Sequence, residues 1–210
     1  KCIELYPNDA YYLNNRGDFH SDIEEYDNAI EDYTMCIKLF PEDLDAYISR
    51  ADIYVYLEEY DKALADFAKC IEIDPENPDT YFYRTTLYED LEEYDLALAD
   101  YNKAIEIDPE DVTNYKYRAD LYALLEENAK AYSDYTKCIE LRPNDAYDLN
   151  NRGDFHSDIE EYDNALEDYA KSIELDPENL EAYIGRANIH IGLEEYDKAL
   201  ADFAKCIEID

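Results

Sequence analysis

Seven prolines punctuate the chain, and six of them, Pro7, Pro41, Pro75, Pro109, Pro143 and Pro177, fall 34 residues apart without a slip. A constant period of that size marks tandem copies of one supersecondary unit, so the 210 residues count repeats rather than domains. Each proline follows an acidic, apolar run such as Lys69-Cys70-Ile71-Glu72-Ile73-Asp74. Proline cannot continue a helix and disfavours helical backbone just before it, so each one closes a helix. The frame predicts one array over residues 1–210. Residues 1–9 end a preceding repeat, and repeats span 10–43, 44–77, 78–111, 112–145, 146–179 and an incomplete 180–210.

One copy shows the local structure. Asp43 offers an N-cap oxygen, and Tyr47, Arg50, Ala51, Tyr54 and Leu57 recur at helical spacing on one face. Glu58-Glu59-Tyr60-Asp61 interrupts that pattern, and Ala63, Leu64, Phe67, Cys70 and Ile71 form the inner stripe of a second helix. A helical hairpin of this kind cannot bury its stripe alone and must stack on its neighbours. The expected fold class is all-α, an alpha-alpha superhelix (solenoid) of helical hairpins.

These residues resemble the tetratricopeptide repeat family, whose pattern of large, small and aromatic residues reads Tyr81, Thr85, Tyr88, Ala97, Tyr101, Ala104 and Pro109 in the third copy. Departures are a missing tryptophan, histidine at the aromatic slot as His20, His156 and His190, and Asn128 where other copies carry tyrosine. Sixteen of the 24 tyrosines occupy the slots of Tyr47, Tyr54, Tyr60 and Tyr101, which assigns them to packing. A second duplication lies above the first: residues 1–74 and 137–210 agree at 59 of 74 positions.

Six of the seven arginines, Arg16, Arg50, Arg84, Arg118, Arg152 and Arg186, share one slot of the first helix, and an aspartate follows each by sixteen residues. These predict six internal ion pairs rather than an anion-binding ladder. Cys2, Cys36, Cys70, Cys138 and Cys206 share a slot that also accepts Ala104 and Ser172, so they are expected as small packing residues and reduced thiols, fitting a cytoplasmic setting. The histidines lack metal-ligand spacing, and four glycines leave no phosphate loop. No catalytic residue, metal or cofactor is assigned, and the chain is expected not to be an enzyme.

The net charge of −37 repels phosphate backbones and anionic headgroups, which argues against nucleic acid and membrane partners and favours basic ones. In the resembled family the free face of the first helix lines a groove for protein segments. The matching residues are Asn14, Asp18, Asp22, Ile48, Asp52, Tyr56, Phe82, Glu89, Asp90, Lys116, Asp120, Asn150, Asp154 and Asp158. Aspartates with apolar residues between them suit a protein or peptide carrying Lys or Arg and apolar anchors. The alternative is a structural array that self-associates head to tail, because residues 205–210 repeat the slot of residues 1–6 and neither end carries a polar capping helix.

Overall fold

A computed structural model of the chain describes residues 9–209. The expectations for Cys2, Pro7 and the helix end at residues 1–5 lie outside them. Twelve α-helices, and no strand, form among the described residues. They fall into two compact units divided after Pro109. The first holds α1 (Ala10–Asp22), α2 (Tyr26–Leu39), α3 (Leu44–Tyr56), α4 (Tyr60–Ile73), α5 (Pro78–Asp90) and α6 (Tyr94–Ile107). The second holds α7 (Val112–Leu124), α8 (Asn128–Leu141), α9 (Ala146–Asp158), α10 (Tyr162–Leu175), α11 (Leu180–Gly192) and α12 (Tyr196–Ile209). In each unit three hairpins stack in sequence, the second helix of one packing on the first helix of the next. The all-α hairpin-repeat fold class therefore holds.

The repeat chemistry starts and stops the helices. Asp9, Asp43, Asn77, Asp111, Asp145 and Asn179 cap the odd-numbered helices, each side-chain oxygen accepting a backbone N–H of the first turn. Those helices end in a motif invisible to the periodicity argument. Glu24, Glu58, Glu92, Glu126, Glu160 and Glu194 all adopt left-handed backbone, φ near +60°. In the second copy the Glu58 amide donates to the Val55 carbonyl and the Glu59 amide to the Tyr54 carbonyl, at 2.9 and 2.8 Å. These two bonds satisfy carbonyls that a helix end would leave bare. Glutamate, not the usual glycine, holds this conformation six times, at a steric cost of about 1 kcal/mol each.

Packing follows the predicted stripes with three corrections. Ala51, Ala63, Phe67 and Leu87 form one closed cluster, joining the second hairpin to the third. Leu87 belongs to a slot outside the predicted stripes; Ile53, Leu121, Phe155 and Ile189 occupy it elsewhere and are also buried, while Phe19 in the first copy is exposed. Leu57 is exposed, because it caps α3 after the last helical turn. Most tyrosines of the four slots are buried or half-buried, but Tyr162 and Tyr196 are exposed instead. Cys36, Cys70 and Cys138 are free, buried thiols that burial pushes up to about 12. Each donates weakly to the first carbonyl of the preceding helix, and Ser172 makes the same contact at 2.8 Å.

All six arginine–aspartate pairs form, joining the helices of every hairpin. Arg84 donates from Nε and Nη2 to both oxygens of Asp100 at 2.7 Å, and Arg50, Arg118, Arg152 and Arg186 fork onto Asp66, Asp134, Asp168 and Asp202 in the same way. Arg16 pairs with Asp32. The seventh arginine, Arg142, pairs instead with the buried Asp148. Asp100 is only 6% exposed, so removing its partner strands a charge away from water. Arg84→Ala is expected to destabilise the fold by about 3 to 5 kcal/mol, read as a fall in the denaturant midpoint; an unchanged midpoint would show that the pair is dispensable.

Candidate functional site

The odd-numbered helices carry the residues expected to face a partner. In the first unit α1 and α3 enclose a cleft of about 420 Å³ lined by Asp18, Ser21, Asp22, Tyr26, Tyr33, Ser49, Asp52, Ile53 and Tyr56. A second cleft of about 720 Å³ runs along α1, α3 and the start of α5; Asn14, Asp18, Asp45, Ile48, Asp52, Asp79 and Tyr83 are among its walls. Among the described residues, no lysine, arginine or histidine lines either one. Six expected site residues, Asn14, Asp18, Asp22, Ile48, Asp52 and Tyr56, thus come together here. Phe82, Glu89 and Asp90 line neither cleft: Phe82 packs 6.5 Å from the Tyr101 ring, Glu89 accepts the Tyr101 hydroxyl, and Asp90 is exposed at the end of α5.

In the second unit Asp120 and Asp158 line a cleft of about 670 Å³ with Leu124, Tyr135 and Phe155. Here the negative charge is partly answered from within. Lys116 pairs with Asp120 at 2.7 Å, and Asn150, almost fully buried, donates to Asp154 at 3.0 Å. A separate cleft of about 500 Å³ opens beside Asn128, walled by Tyr132, His156 and the Arg152–Asp168 pair. It exposes structural parts of α8, α9 and α10 rather than the acidic face.

Core tyrosines reach up to the acidic face, a connection not expected of residues assigned to packing. Tyr33, Tyr135 and Tyr169 donate their hydroxyls to Asp18, Asp120 and Asp154 at 2.7, 2.6 and 2.7 Å. Burial, then the adjoining carboxylate, pushes each phenol far above its usual range. The signal was present in the sequence, since each tyrosine follows its aspartate by fifteen residues. Phe67 stands in the same slot below Asp52 and has no hydroxyl to give. Asp52 makes no hydrogen bond or ion pair with a described residue, and although water reaches it, the walls of the cleft push its carboxyl above the usual carboxylate range.

The described residues contain no cluster of three or more His, Cys, Asp or Glu arranged to hold a metal. Each histidine lies against a glutamate five residues on, across the turn: His20 Nδ1 is 2.8 Å from Glu25, His156 Nδ1 2.9 Å from Glu161 and His190 Nδ1 2.7 Å from Glu195. No helix among the described residues is long and apolar enough to cross a membrane.

Stacked hairpins with acidic clefts along their first helices define a protein-interaction scaffold. The profile of the ETO1 C-terminal domain family matches residues 2–191, and that of the tetratricopeptide repeat matches residues 180–210. The chain belongs to the ETO1 C-terminal domain family and is a tetratricopeptide repeat protein. Its structure is similar to that of YrrB, described as a TPR protein with an unusual peptide-binding site, at 26% identity and a TM-score of 0.62, covering 86% of this chain and 93% of that one. It also shares the fold of PilF from Pseudomonas aeruginosa (TM-score 0.71, 15% identity, 92% and 88% covered). A tetratricopeptide repeat protein from Parabacteroides merdae does so too (TM-score 0.68, 22% identity, 99% and 82% covered). No curated protein matches the chain in sequence.

The crowding of Asp52 has a pH signature. Its folded value lies above its unfolded one, so the native protein binds the proton more tightly and loses stability as pH rises through that window. Asp52→Asn escapes this loss. The variant should be more stable than the parent at neutral pH, and the gain should vanish below about pH 3.5, where the unfolded carboxyl is also protonated. Urea midpoints at both pH values check it; a gain independent of pH would contradict the crowding.

Proposed function

We propose that this protein is a scaffold that captures a basic, or mixed basic and apolar, segment of a protein partner along the acidic face of its first unit. The observation that carries this reading is the pair of clefts bearing Asp18, Asp22, Asp45, Asp52 and Asp79 with no cation among their described walls. Opposed charges steer encounter and select sign, while Ile48, Tyr11 and Tyr83 offer apolar surface between the carboxylates. The peptide-binding site named for YrrB supports a peptide segment as the kind of partner. The same charge disfavours nucleic acid and anionic membrane surfaces as partners. Free, buried thiols fit a cytoplasmic setting.

A peptide array tests the reading. Bound sequences should be enriched in Lys and Arg with interspersed apolar residues, and Asp52→Lys should weaken them about tenfold, through loss of an attraction and gain of a repulsion. Hits without basic enrichment, or an Asp52→Lys variant that binds as the parent does, would refute it.

A further inference from the structure

Three of the arginine pairs share one arrangement of parts. Arg50 forks onto Asp66 with its guanidinium carbon 5.8 Å from the ring centres of both Tyr47 and Tyr54. Arg84 forks onto Asp100 between Tyr81 and Tyr88, at 5.9 and 5.5 Å, and Arg118 onto Asp134 between Tyr115 and Tyr122, at 5.6 and 5.8 Å. A planar guanidinium satisfies both demands at once, since it gives parallel N–H donors to a carboxylate and lays its face on aromatic rings. The chain thus displays its own template for holding an arginine: one aspartate and two tyrosines.

The cleft between α1 and α3 holds an aspartate and two tyrosines without the arginine, its two rings packed on each other. Asp52 has neither hydrogen bond nor ion pair among the described residues, and Phe67, in the slot of Tyr33, supplies no hydroxyl of the kind that engages Asp18, Asp120 and Asp154. Tyr56, one helical turn further on, is 66% exposed, and its ring centre lies 4.7 Å from that of Tyr26 on the same cleft wall. Asp18 and Asp22 add negative charge from the α1 side. The geometry points to a receptor for a single arginine side chain of the partner segment: Asp52 takes the guanidinium fork and the Tyr26–Tyr56 pair carries its face. This rests on the reading of the acidic face given above, and narrows it to one residue type and one place.

The internal duplication supplies the comparison. Between residues 1–74 and 137–210 the exposed faces of α1 and α9 are identical at Tyr11, Asn14, Asp18, Ser21 and Asp22, which recur as Tyr147, Asn150, Asp154, Ser157 and Asp158. The faces of α3 and α11 differ where the receptor needs its parts, with Asn188 in place of Asp52 and Gly192 in place of Tyr56, while Tyr26 recurs as Tyr162. The second unit therefore keeps the acidic α9 face but lacks both the fork acceptor and the outer ring. A β-carbon at Gly192 would meet nothing within 4 Å, so a tyrosine can be restored there.

The test uses the full chain and two fluorescein-labelled probes, nona-arginine and nona-lysine, in about 150 mM salt, where distant surface charge is largely screened. Nona-arginine should bind the parent more tightly than nona-lysine. The double change Asp52→Asn with Tyr56→Gly, which copies residues the chain already tolerates on α11, should weaken nona-arginine about tenfold and erase its advantage. Asn188→Asp with Gly192→Tyr should strengthen nona-arginine over nona-lysine. If the parent binds both probes equally, or the first double change leaves the arginine preference intact, the receptor is wrong while the acidic-face reading stands. If neither probe binds the parent, the acidic-face reading fails and the receptor with it.

Discussion

A guanidinium forked onto a carboxylate sits between the two helices of every hairpin, and the rest of the structure is arranged around it. In five of the six pairs both ends of the fork are shielded from water, as with Arg84 and Asp100, whose side chains are 20% and 8% exposed, whereas Arg16 is more open. A buried pair of this kind adds little net stability over a well-packed apolar substitute, but losing one member strands the other. Its bidentate geometry also admits one register between the helices, since a slip of one residue would part both N–H···O contacts. The tyrosine rings beside Arg50, Arg84 and Arg118 complete the enclosure, so most of the large aromatic inventory is spent on holding arginines and filling the core.

Once six arginines are committed to six aspartates, the charge left over has to reside on surfaces. Lysines answer part of it locally, as in Lys62–Glu59, Lys69–Glu72 and Lys116–Asp120. Tyrosine hydroxyls from the core answer another part at Asp18, Asp120 and Asp154. Asp52 receives neither, because Phe67 replaces the donor below it. A carboxylate that water reaches and no described side chain answers is left to meet a cation from outside the chain. That asymmetry, rather than the net charge, singles out the cleft between α1 and α3.

The hairpin fold was legible from the proline period and the small-residue slots, and so were the six ion pairs, because a fixed offset of sixteen residues brings opposite charges to the same face of a hairpin. The thiol slot was legible for the same reason, since Cys36 and Ser172 place their donors on equivalent carbonyls. The left-handed glutamates were not. Glu58 looks like any exposed acidic residue, and only hydrogen bonds from the two amides that follow the helix reveal that its backbone is inverted. The acidic face was legible as a set of positions, but a helical wheel treats Asp18, Asp52, Asp120 and Asp154 alike. What separates them is the residue beneath, a contact between helices. Likewise Phe82 and Glu89 turned toward Tyr101 rather than into a cleft, and Tyr26 joined the site from a helix that the sequence assigns to packing.

The central claim is that a basic segment docks on α1 and α3 of the first unit. Backbone hydrogen exchange of the full chain, followed with and without saturating nona-arginine, addresses it directly, because a docked segment slows local opening of the helices it bridges. The account predicts added protection over residues 10–22 and 44–59, with α11 unchanged although most of its sequence repeats that of α3. Protection shared equally by α3 and α11, or confined to helices away from α1 and α3, would contradict it.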